Sequence, residues 1–528
     1  MGMKRPYTLD QQLTMADNES SMKMQRIPAY GDLMHSDVIG SDRGLRFVNC
    51  SPIVNDQAGS DPIVTVEPRP FFDIDFDTLP GNPLEAIRNV YSLDFASARK
   101  TYYAVGDGLY DDAEVKRITF SLDTGYVGIT HTPTFLIVVE NKTNNSIIHS
   151  LNLFDNTLVT ETLATGTSGD PVYLDGYIFL SSSPLNQTLF NSSLAVPTDF
   201  DLVNDYIDAE QFPDKNVFIA KHRNHIVAFG TQSIEFFSNA GHELGSPLQR
   251  NTSYATEIGA FWDSNTDGFR PVATTIGDDI YFLGVDKAKR VALYKLSNFR
   301  ITKVSNTYMD RLFENYQGVL DYRAFRDSVK LMSVKAYGTN TVLCIFNTEN
   351  SQTKNQIYVL HPEQGNWSEW TLPFYINGSN NIQEYNLEFT QTDGDSTNQT
   401  TAYVNSQGTG YKAKFLNQNS TKAPETIRST ILTGMMNFKN QYDKTWISTD
   451  VLGYYSLDNT SINLKTYRHS DYTSYTDHGY KMGRVLRMGL IRFRNLGRSR
   501  QIAFEVTISS DRHYIYEGMD IVYEQGLG

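Results

Sequence analysis

Short runs of apolar residues, separated by tight polar turns, follow one another along most of this chain. The clearest set is four strand-like runs at residues 272–276, 280–285, 290–296 and 300–304. The links between them are rich in Gly, Asp, Lys, Ser and Asn, so neighbouring runs are predicted to pair as an antiparallel meander. A four-stranded meander of this kind is the unit of a β-propeller blade.

The meander recurs at a regular interval. Similar units begin at Val217, Val272, Val329 and Leu387. This spacing is close to the ~50-residue repeat of kelch-type propellers, which places the sheets radially around one axis. The first half of the chain is less regular, although it contains six further strand-like runs, so the number of blades stays open.

Composition agrees with an all-β protein that contains very little helix. The chain has 528 residues and more Tyr than Phe, 32 against 29. It has no long helical periodicity, and its many polar residues suit twisted strands with exposed faces. One helix is predicted, because Met309, Leu312, Phe313 and Tyr316 have helical spacing behind two possible capping residues, Asn306 and Thr307.

Three parts are predicted along the chain. Residues 1–45 are polar and have little periodicity, so we expect an extended arm that becomes ordered only against a partner. Residues 46–428 are predicted to form the propeller. After Pro424 the rhythm of the strands changes, and residues 429–528 are predicted to form a separate antiparallel β-sandwich.

The net charge of −14 disfavours a repressor or a nucleic-acid enzyme, because it repels DNA and RNA. One C-terminal segment departs from this balance. It contains six arginines and no acidic residue: Arg484, Arg487, Arg492, Arg494, Arg498 and Arg500. Alternation with apolar residues predicts a strand with one basic face. That face could be solvated and paired with nearby acids, could form a subunit interface, or could contact a passing DNA backbone.

Other chemistry has little support in the sequence. The two cysteines, Cys50 and Cys344, suggest neither a disulfide framework nor a zinc site, so we expect synthesis in a reducing cytoplasm. The usual signatures of serine hydrolases, zinc proteases, P-loop enzymes and dinucleotide enzymes are missing. We therefore predict no enzyme, cofactor or metal. The apolar runs have strand length, so no membrane-spanning segment is predicted, and no secretory signal is visible.

Two stretches resemble a known family. Residues 229–238 (FGTQSIEFFS), with the 272–304 blade and the helix that follows, are similar to the tail hub proteins of short-tailed bacteriophages. Residues 481–493, an arginine-rich segment before the strand 502–508, resemble the C-terminal region of the same family, and Phe47, Val48 and Asn49 form a weaker match. These proteins are also called tail nozzle or packaged-DNA stabilisation proteins.

The resemblance implies a structural virion protein of the tail. Such a protein forms a ring, usually of six copies, docked below the portal and its adaptor. It retains packaged double-stranded DNA, conveys it during ejection with transient non-specific contact, and bears tail fibres or spikes. By this analogy the six arginines contact a neighbouring subunit, the adaptor or DNA, and an acidic channel wall would let DNA slide without sticking.

A function of another class stays open. A propeller with aromatic residues on its faces could bind or cleave host surface polysaccharide. Trp367 and Trp370 are the best candidates for stacking on sugars. The competing interpretation is that both tryptophans pack inside a blade.

Overall fold

Among the residues that it describes, the computed structural model has one α-helix and many strands. It describes residues 22–28, 44–55, 63–80, 87–123, 125–182, 186–212, 214–242, 245–261, 270–319, 329–336, 338–346, 356–372, 375–376, 382–383, 386–392, 400–406, 409–416, 426–437, 442–454, 460–469, 472, 474–482 and 489–525.

Five strands precede the first complete blade. They are β1 (Met22–Pro28), β2 (Gly44–Val48), β3 (Cys50–Asn55), β4 (Ile63–Pro68) and β5 (Phe71–Thr78).

The first four blades are regular antiparallel meanders. Blade 1 contains β6 (Ile87–Phe95), β7 (Ala98–Val105), β8 (Gly108–Tyr110) and β9 (Lys116–Thr119). Blade 2 contains β10 (Val127–His131), β11 (Phe135–Glu140), β12 (Ile147–Asn152) and β13 (Leu158–Thr162). Blade 3 contains β14 (Thr167–Leu174), β15 (Tyr177–Ser182), β16 (Thr188–Asn191) and β17 (Tyr206–Asp208). Blade 4 contains β18 (Asn216–His222), β19 (His225–Gly230), β20 (Ile234–Asn239) and β21 (Leu248–Thr256).

The predicted 272–304 meander is blade 5. Its strands are β22 (Gly259–Ala260), β23 (Ala273–Ile276), β24 (Asp279–Val285), β25 (Val291–Ser297) and β26 (Arg300–Lys303), and both β22 and β23 pair with β24. Blade 6 contains β27 (Val329–Ala336), β28 (Thr339–Phe346), β29 (Gln356–His361) and β30 (Asn366–Trp370). A small hairpin follows, β31 (Tyr375–Ile376) and β32 (Ile382–Gln383).

Blade 7 closes the propeller. It contains β33 (Asn386–Thr392), β34 (Thr400–Ser406) and β35 (Thr409–Leu416), and its outermost strand is β5 from the N-terminal side. The innermost strands of neighbouring blades contact one another around most of the circle, blades 4 and 5 meet through β19 and β22, and β33 of blade 7 contacts β6 of blade 1. The described residues thus form seven blades, and the predicted propeller is confirmed.

The predicted helix is also confirmed, as α1 (Thr307–Val319) between blades 5 and 6. Asn306 caps it, since its Oδ1 accepts a hydrogen bond of 2.9 Å from the backbone N–H of Met309. Met309 and Phe313 lie one turn apart on the same face and are fully buried against the blade cores.

The C-terminal strands form a sandwich of two sheets with the N-terminal strands. They are β36 (Ile427–Thr433), β37 (Lys444–Tyr454), β38 (Ser461–Tyr467), β39 (Tyr475–Met482), β40 (Gly489–Ser499), β41 (Ala503–Ser510) and β42 (Ile515–Gln525). One sheet has the order β3-β4-β42-β37-β40, with β1 also paired to β42. The other continues blade 6 outward in the order β30-β2-β36-β41-β38-β39. Trp446 and Phe504 are buried in the shared core.

Strand pairing shows how the predicted parts connect. Residues 22–28 lie in the predicted arm, yet they pair along the whole of β1 with the chain's own C-terminal strand β42. Residues 50–68 fall inside the predicted propeller segment, but β3 and β4 belong to a sandwich sheet. The boundaries at residues 45 and 428 stay predictions as limits of independently folding domains.

Candidate functional site

The arginine-rich segment includes β40, an edge strand of the sandwich. In the part of the chain that the structure describes, β40 pairs with β37 on one side and with no strand on the other. Alternation holds along part of the strand: Phe493 is buried while Arg492 and Arg494 are exposed. Charged residues on an open edge discourage indiscriminate strand pairing, so this edge is suited to a specific contact.

Arg492 is held by an acid within the same sheet. Its Nε and one terminal nitrogen each donate a hydrogen bond of 2.6 Å to the two carboxylate oxygens of Asp450. The Asp450 side chain is only 3% exposed, whereas that of Arg492 is 46% exposed. The ion pair raises the pKa of Arg492 further, through its hydrogen bonds and the charge of Asp450. The main role of Arg492 is therefore to balance the charge of the buried Asp450 carboxylate.

Two other arginines lie beside one acid at the far end of the strand. Arg498 and Arg500 approach the carboxylate of Asp443 to 3.5 and 3.4 Å, and all three side chains are well exposed. Exposed pairs of this kind contribute little to stability. Arg484 and Arg487 lie outside the described residues, so the structure brings together four of the six predicted arginines.

Arg494 differs from its neighbours on the strand. It lies opposite Ser448 of β37, is exposed, and has no hydrogen-bonding or ion-pair partner among the described residues. The neighbouring edge strand β39, which ends the other sheet, exposes 55% of Tyr475 and 61% of Tyr480. Lys481 of β39 donates to the carbonyl of Arg492, and its ammonium lies 4.7 Å from the ring centre of Phe493, which keeps the two edges together.

We call these two edge strands, β39 and β40, the open rim, since each pairs with a strand on one side only in the part of the chain that the structure describes. It carries the exposed rings of Tyr475 and Tyr480 and the guanidinium of Arg494, which has no partner among the described residues. Exposed Tyr and Arg side chains are typical of protein interfaces.

The junction between propeller and sandwich is a second polar site. Val48 of β2 pairs in parallel with Glu369 of β30, so blade 6 and the sandwich share one sheet. Arg46 donates to both carboxylate oxygens of Glu369, with the shortest contact at 2.7 Å. This geometry is the two-pronged pairing that suits a guanidinium and a carboxylate.

Asn49 links the chain segments that cross this junction. Its Oδ1 accepts hydrogen bonds from the backbone N–H of Thr371 at 2.7 Å and from Nε of Arg69 at 3.2 Å. Its Nδ2 donates to the carbonyl of Arg428 at 3.1 Å, and its own carbonyl accepts from Oγ of Ser429 at 2.9 Å. Asn49 therefore contacts the end of blade 6, the entry to β5 and the start of β36.

Asn49 also has a left-handed backbone, with φ of 57°. Among residues other than glycine, Asn adopts this conformation most readily. In the sequence, Asn49 stands out only as part of a weak family match. Neither its positive φ nor its distant partners can be read from local sequence.

The tryptophans proposed for sugar stacking are inside the protein. Trp367 is 0% exposed and Trp370 is 3% exposed. The indole N–H of Trp367 donates to the carbonyl of Val304 at 3.3 Å, which ties blade 6 to the end of blade 5. Neither ring presents a face to a polysaccharide, so the blade-packing interpretation is correct for both.

The described residues give no evidence for a metal site or for a membrane-spanning helix. No group of three or more His, Cys, Asp or Glu residues in the described ranges could hold a metal ion. Within the same ranges, no helix has the length and apolar character needed to cross a bilayer.

Comparison with known proteins gives one family. The family described as "Bacteriophage P22 Gp10, beta-propeller", a phage stabilisation family, matches residues 92–381, which is more than half of the chain. No curated protein matches. Among solved structures, BamB from Moraxella catarrhalis is similar at 12% identity and a TM-score of 0.31, covering 63% of this chain and 100% of BamB, a likeness too weak to carry an argument. The matched residues run from blade 1 to just beyond blade 6, and the chain therefore belongs to this family of phage tail-hub and stabilisation proteins.

Proposed function

We propose that this protein forms the ring-shaped tail hub below the portal and adaptor, where it retains packaged DNA and becomes the conduit for ejection. Tail fibres or spikes would attach to it. Family membership supports a structural role in the phage tail, and we propose no enzymatic activity. The observation that carries the ring is the open rim, a long unpaired edge that a second protein surface can cover.

A ring needs a heterologous interface, in which one patch of a subunit meets a different patch of its neighbour. The open rim is suited to be one of these patches. It combines free strand edges with Tyr475, Tyr480 and Arg494, which together supply apolar area and a directed positive charge. The net charge of −14 makes acidic residues abundant on the remaining surface, so a basic rim has many complementary partners.

Within the rim, we assign the intermolecular contact to Arg494 rather than to Arg492. Arg492 is already paired with buried Asp450, and moving it would leave that carboxylate without a counter-charge. Arg494 can pair with an acid of a neighbouring subunit or of the adaptor without such a loss. Arg498 and Arg500 would strengthen the same contact after exchanging Asp443 for a partner, because exposed ion pairs are weak.

The acidic composition suits a conduit for DNA. A channel wall with negative charge repels the phosphate backbone and prevents non-specific adhesion during passage. We therefore propose that part of the net negative charge faces the lumen of the ring. A cryo-electron microscopy map of the assembled ring tests this directly, and a uniformly basic lumen would contradict it.

The first experiment is the native mass of the purified full chain, alone and mixed with the cognate portal–adaptor complex, measured by light scattering after size exclusion. We expect a six-fold species that forms on the adaptor. A chain that stays monomeric with the adaptor present would refute the hub.

The role of the rim is tested by charge reversal in the same assay. Arg494→Glu is expected to prevent or strongly weaken ring formation, since it replaces an attractive contact by a repulsive one. Arg300→Glu in β26 is the matched control, because Arg300 is also an exposed strand arginine but lies in blade 5. Assembly that survives Arg494→Glu while the wild type assembles would reject the rim and leave the ring itself intact.

A further inference from the structure

The axis of the propeller contains a cavity of about 610 Å³. Its walls come from the innermost strands of all seven blades, from β6 around to β33. The volume lies in the range of small-molecule sites, which is roughly 300–1,000 Å³. Nothing in the proposed role as a tail hub requires a cavity of this chemistry.

One side of the cavity is basic. Lys221 and Arg223, at the end of β18 and in the turn after it, line its exposed part, and a terminal nitrogen of Arg223 also donates to Oδ1 of Asn298. These two cations belong to blade 4, whereas the molecule as a whole is strongly acidic. Asp278 is the one exposed carboxylate on the same side. An anion with phosphate geometry matches Lys and Arg donors at such a wall.

A second part of the cavity wall is aromatic and hydrogen-bonding, and the charge of Arg270 acts on both Tyr126 and Asp170 there. Asp170 accepts hydrogen bonds from the Tyr126 hydroxyl at 2.8 and 2.9 Å and from the backbone N–H of Ile129 at 3.2 Å. Asn89 supports Tyr126 with a hydrogen bond of 3.2 Å to its hydroxyl oxygen. The half-buried ring of Tyr91 lines the same wall. The carboxylate of Asp170 is thus fixed in orientation before any ligand arrives.

Asp170 can accept further hydrogen bonds from a ligand in the cavity. It lies deep in the protein, yet part of its surface faces the cavity, and a carboxylate has about four lone-pair sites. Burial raises the pKa of Asp170, and the charge of Arg270 acts in the opposite direction. An acceptor beside the half-buried ring of Tyr91 suits the amino group and flat face of a nucleobase.

We propose that this axial cavity binds a nucleotide-sized phosphate monoester. Its phosphate lies against Lys221 and Arg223, and its base lies against the ring of Tyr91 with an exocyclic amine toward Asp170. The same chemistry is present in a free nucleotide and in the phosphorylated end of a DNA strand.

The test is isothermal titration of the full chain with inorganic phosphate, deoxyadenosine monophosphate, thymidine monophosphate and a trinucleotide with a terminal phosphate. The adenine nucleotide is expected to bind more tightly than phosphate and than the thymine nucleotide, which has no exocyclic amine. Tighter binding of the trinucleotide assigns the site to a DNA end, and weaker binding assigns it to free nucleotides. A wild-type chain that binds none of these at millimolar concentration overturns the proposal.

Variants locate the binding within the cavity. Lys221→Ala and Arg223→Ala are each expected to weaken nucleotide binding about tenfold, the loss of one hydrogen bond to a charged group. Lys287→Ala is the control, since Lys287 lies in an exposed turn of blade 5 away from the cavity. Nucleotide affinity that is equal in the wild type and the Lys221→Ala/Arg223→Ala variant would refute the site.

The Asp170→Asn variant tests whether Asp170 recognises the base or only supports the fold. It is expected to remove the preference for the adenine over the thymine nucleotide while leaving the affinity for inorganic phosphate unchanged. A purely structural Asp170 would lower the melting temperature of the protein and leave that preference in place, which would overturn the assigned position of the base.

Discussion

Replacing Asn49 should loosen the connection between propeller and sandwich. The side chain is buried and makes hydrogen bonds to Thr371, Arg69 and Arg428, groups that come from three separate crossings of the junction. Asn49→Gly removes these bonds but keeps the left-handed backbone available. Each buried polar partner left unsatisfied costs about 1–3 kcal/mol, and water entering the space recovers part of this, so we expect a loss of about 2–5 kcal/mol.

Asn49→Ala adds a second cost to the same loss. Its φ of 57° is unfavourable for alanine by about 1–2 kcal/mol compared with glycine. Alanine should therefore be the more destabilising substitution, although it keeps more of the side chain. This order is the reverse of what loss of packing alone predicts.

The stability of both variants is measured by equilibrium urea denaturation followed by tryptophan fluorescence. Their unfolding midpoints are compared, provided that the slope of the unfolding free energy against urea concentration is unchanged. Trp446 reports on the sandwich and Trp367 on blade 6, so separated transitions would show that the junction has uncoupled the two. Equal stability of the Gly and Ala variants would refute the backbone argument. A loss below about 1 kcal/mol in both would refute the role of Asn49 as a link.

Three further predictions concern other sites. Arg492→Ala should destabilise the sandwich by about 1–2 kcal/mol in urea denaturation, because it leaves Asp450 buried without a counter-charge. Adding Asp450→Asn should restore part of this stability. A double variant that is no more stable than Arg492→Ala would contradict the pairing. Burial lowers the pKa of His361 from 6.5 to about 4, so its stabilising contribution is complete above pH 6.5 and is lost as the pH falls toward 4. In the His361→Gln variant, the melting temperature should depend less on pH across that interval. Trp367→Ala should cost about 3–5 kcal/mol and leave polysaccharide binding on a glycan array unchanged, and a selective loss of glycan binding would revive the glycan hypothesis.

Much of the fold follows from local pattern. The meander at residues 272–304 and the later blades are visible because each strand alternates with turn residues a few positions away. The helix after residue 306 is visible because its cap and its apolar face lie within four turns of one another. The arginine segment was predictable as an exposed basic strand for the same reason, and Arg492, Arg494, Arg498 and Arg500 lie on or beside β40.

Tertiary structure decided how distant segments combine. The number of blades was hidden because blade 7 takes its outermost strand, β5, from a segment more than 300 residues away from β35. Pairing of β1 with β42 and of β2 with β30 joins segments that are far apart in the sequence, and no local signal specifies such partners. Local sequence also could not show that Arg494 lacks a partner among the described residues. That depends on which strand edge remains open and on which acidic residues pair with the other arginines.

The sequence alone determined that this protein is built of repeated β-meanders with a basic strand near its end, since alternation, turns and charge are properties of neighbouring residues. Tertiary structure alone decided that Asn49 links three crossings, that Trp367 and Trp370 are buried, and that Asp170, Lys221 and Arg223 line one cavity. These depend on closure of a circle and on pairing between chain ends, where contacts over long sequence separations outweigh local preference.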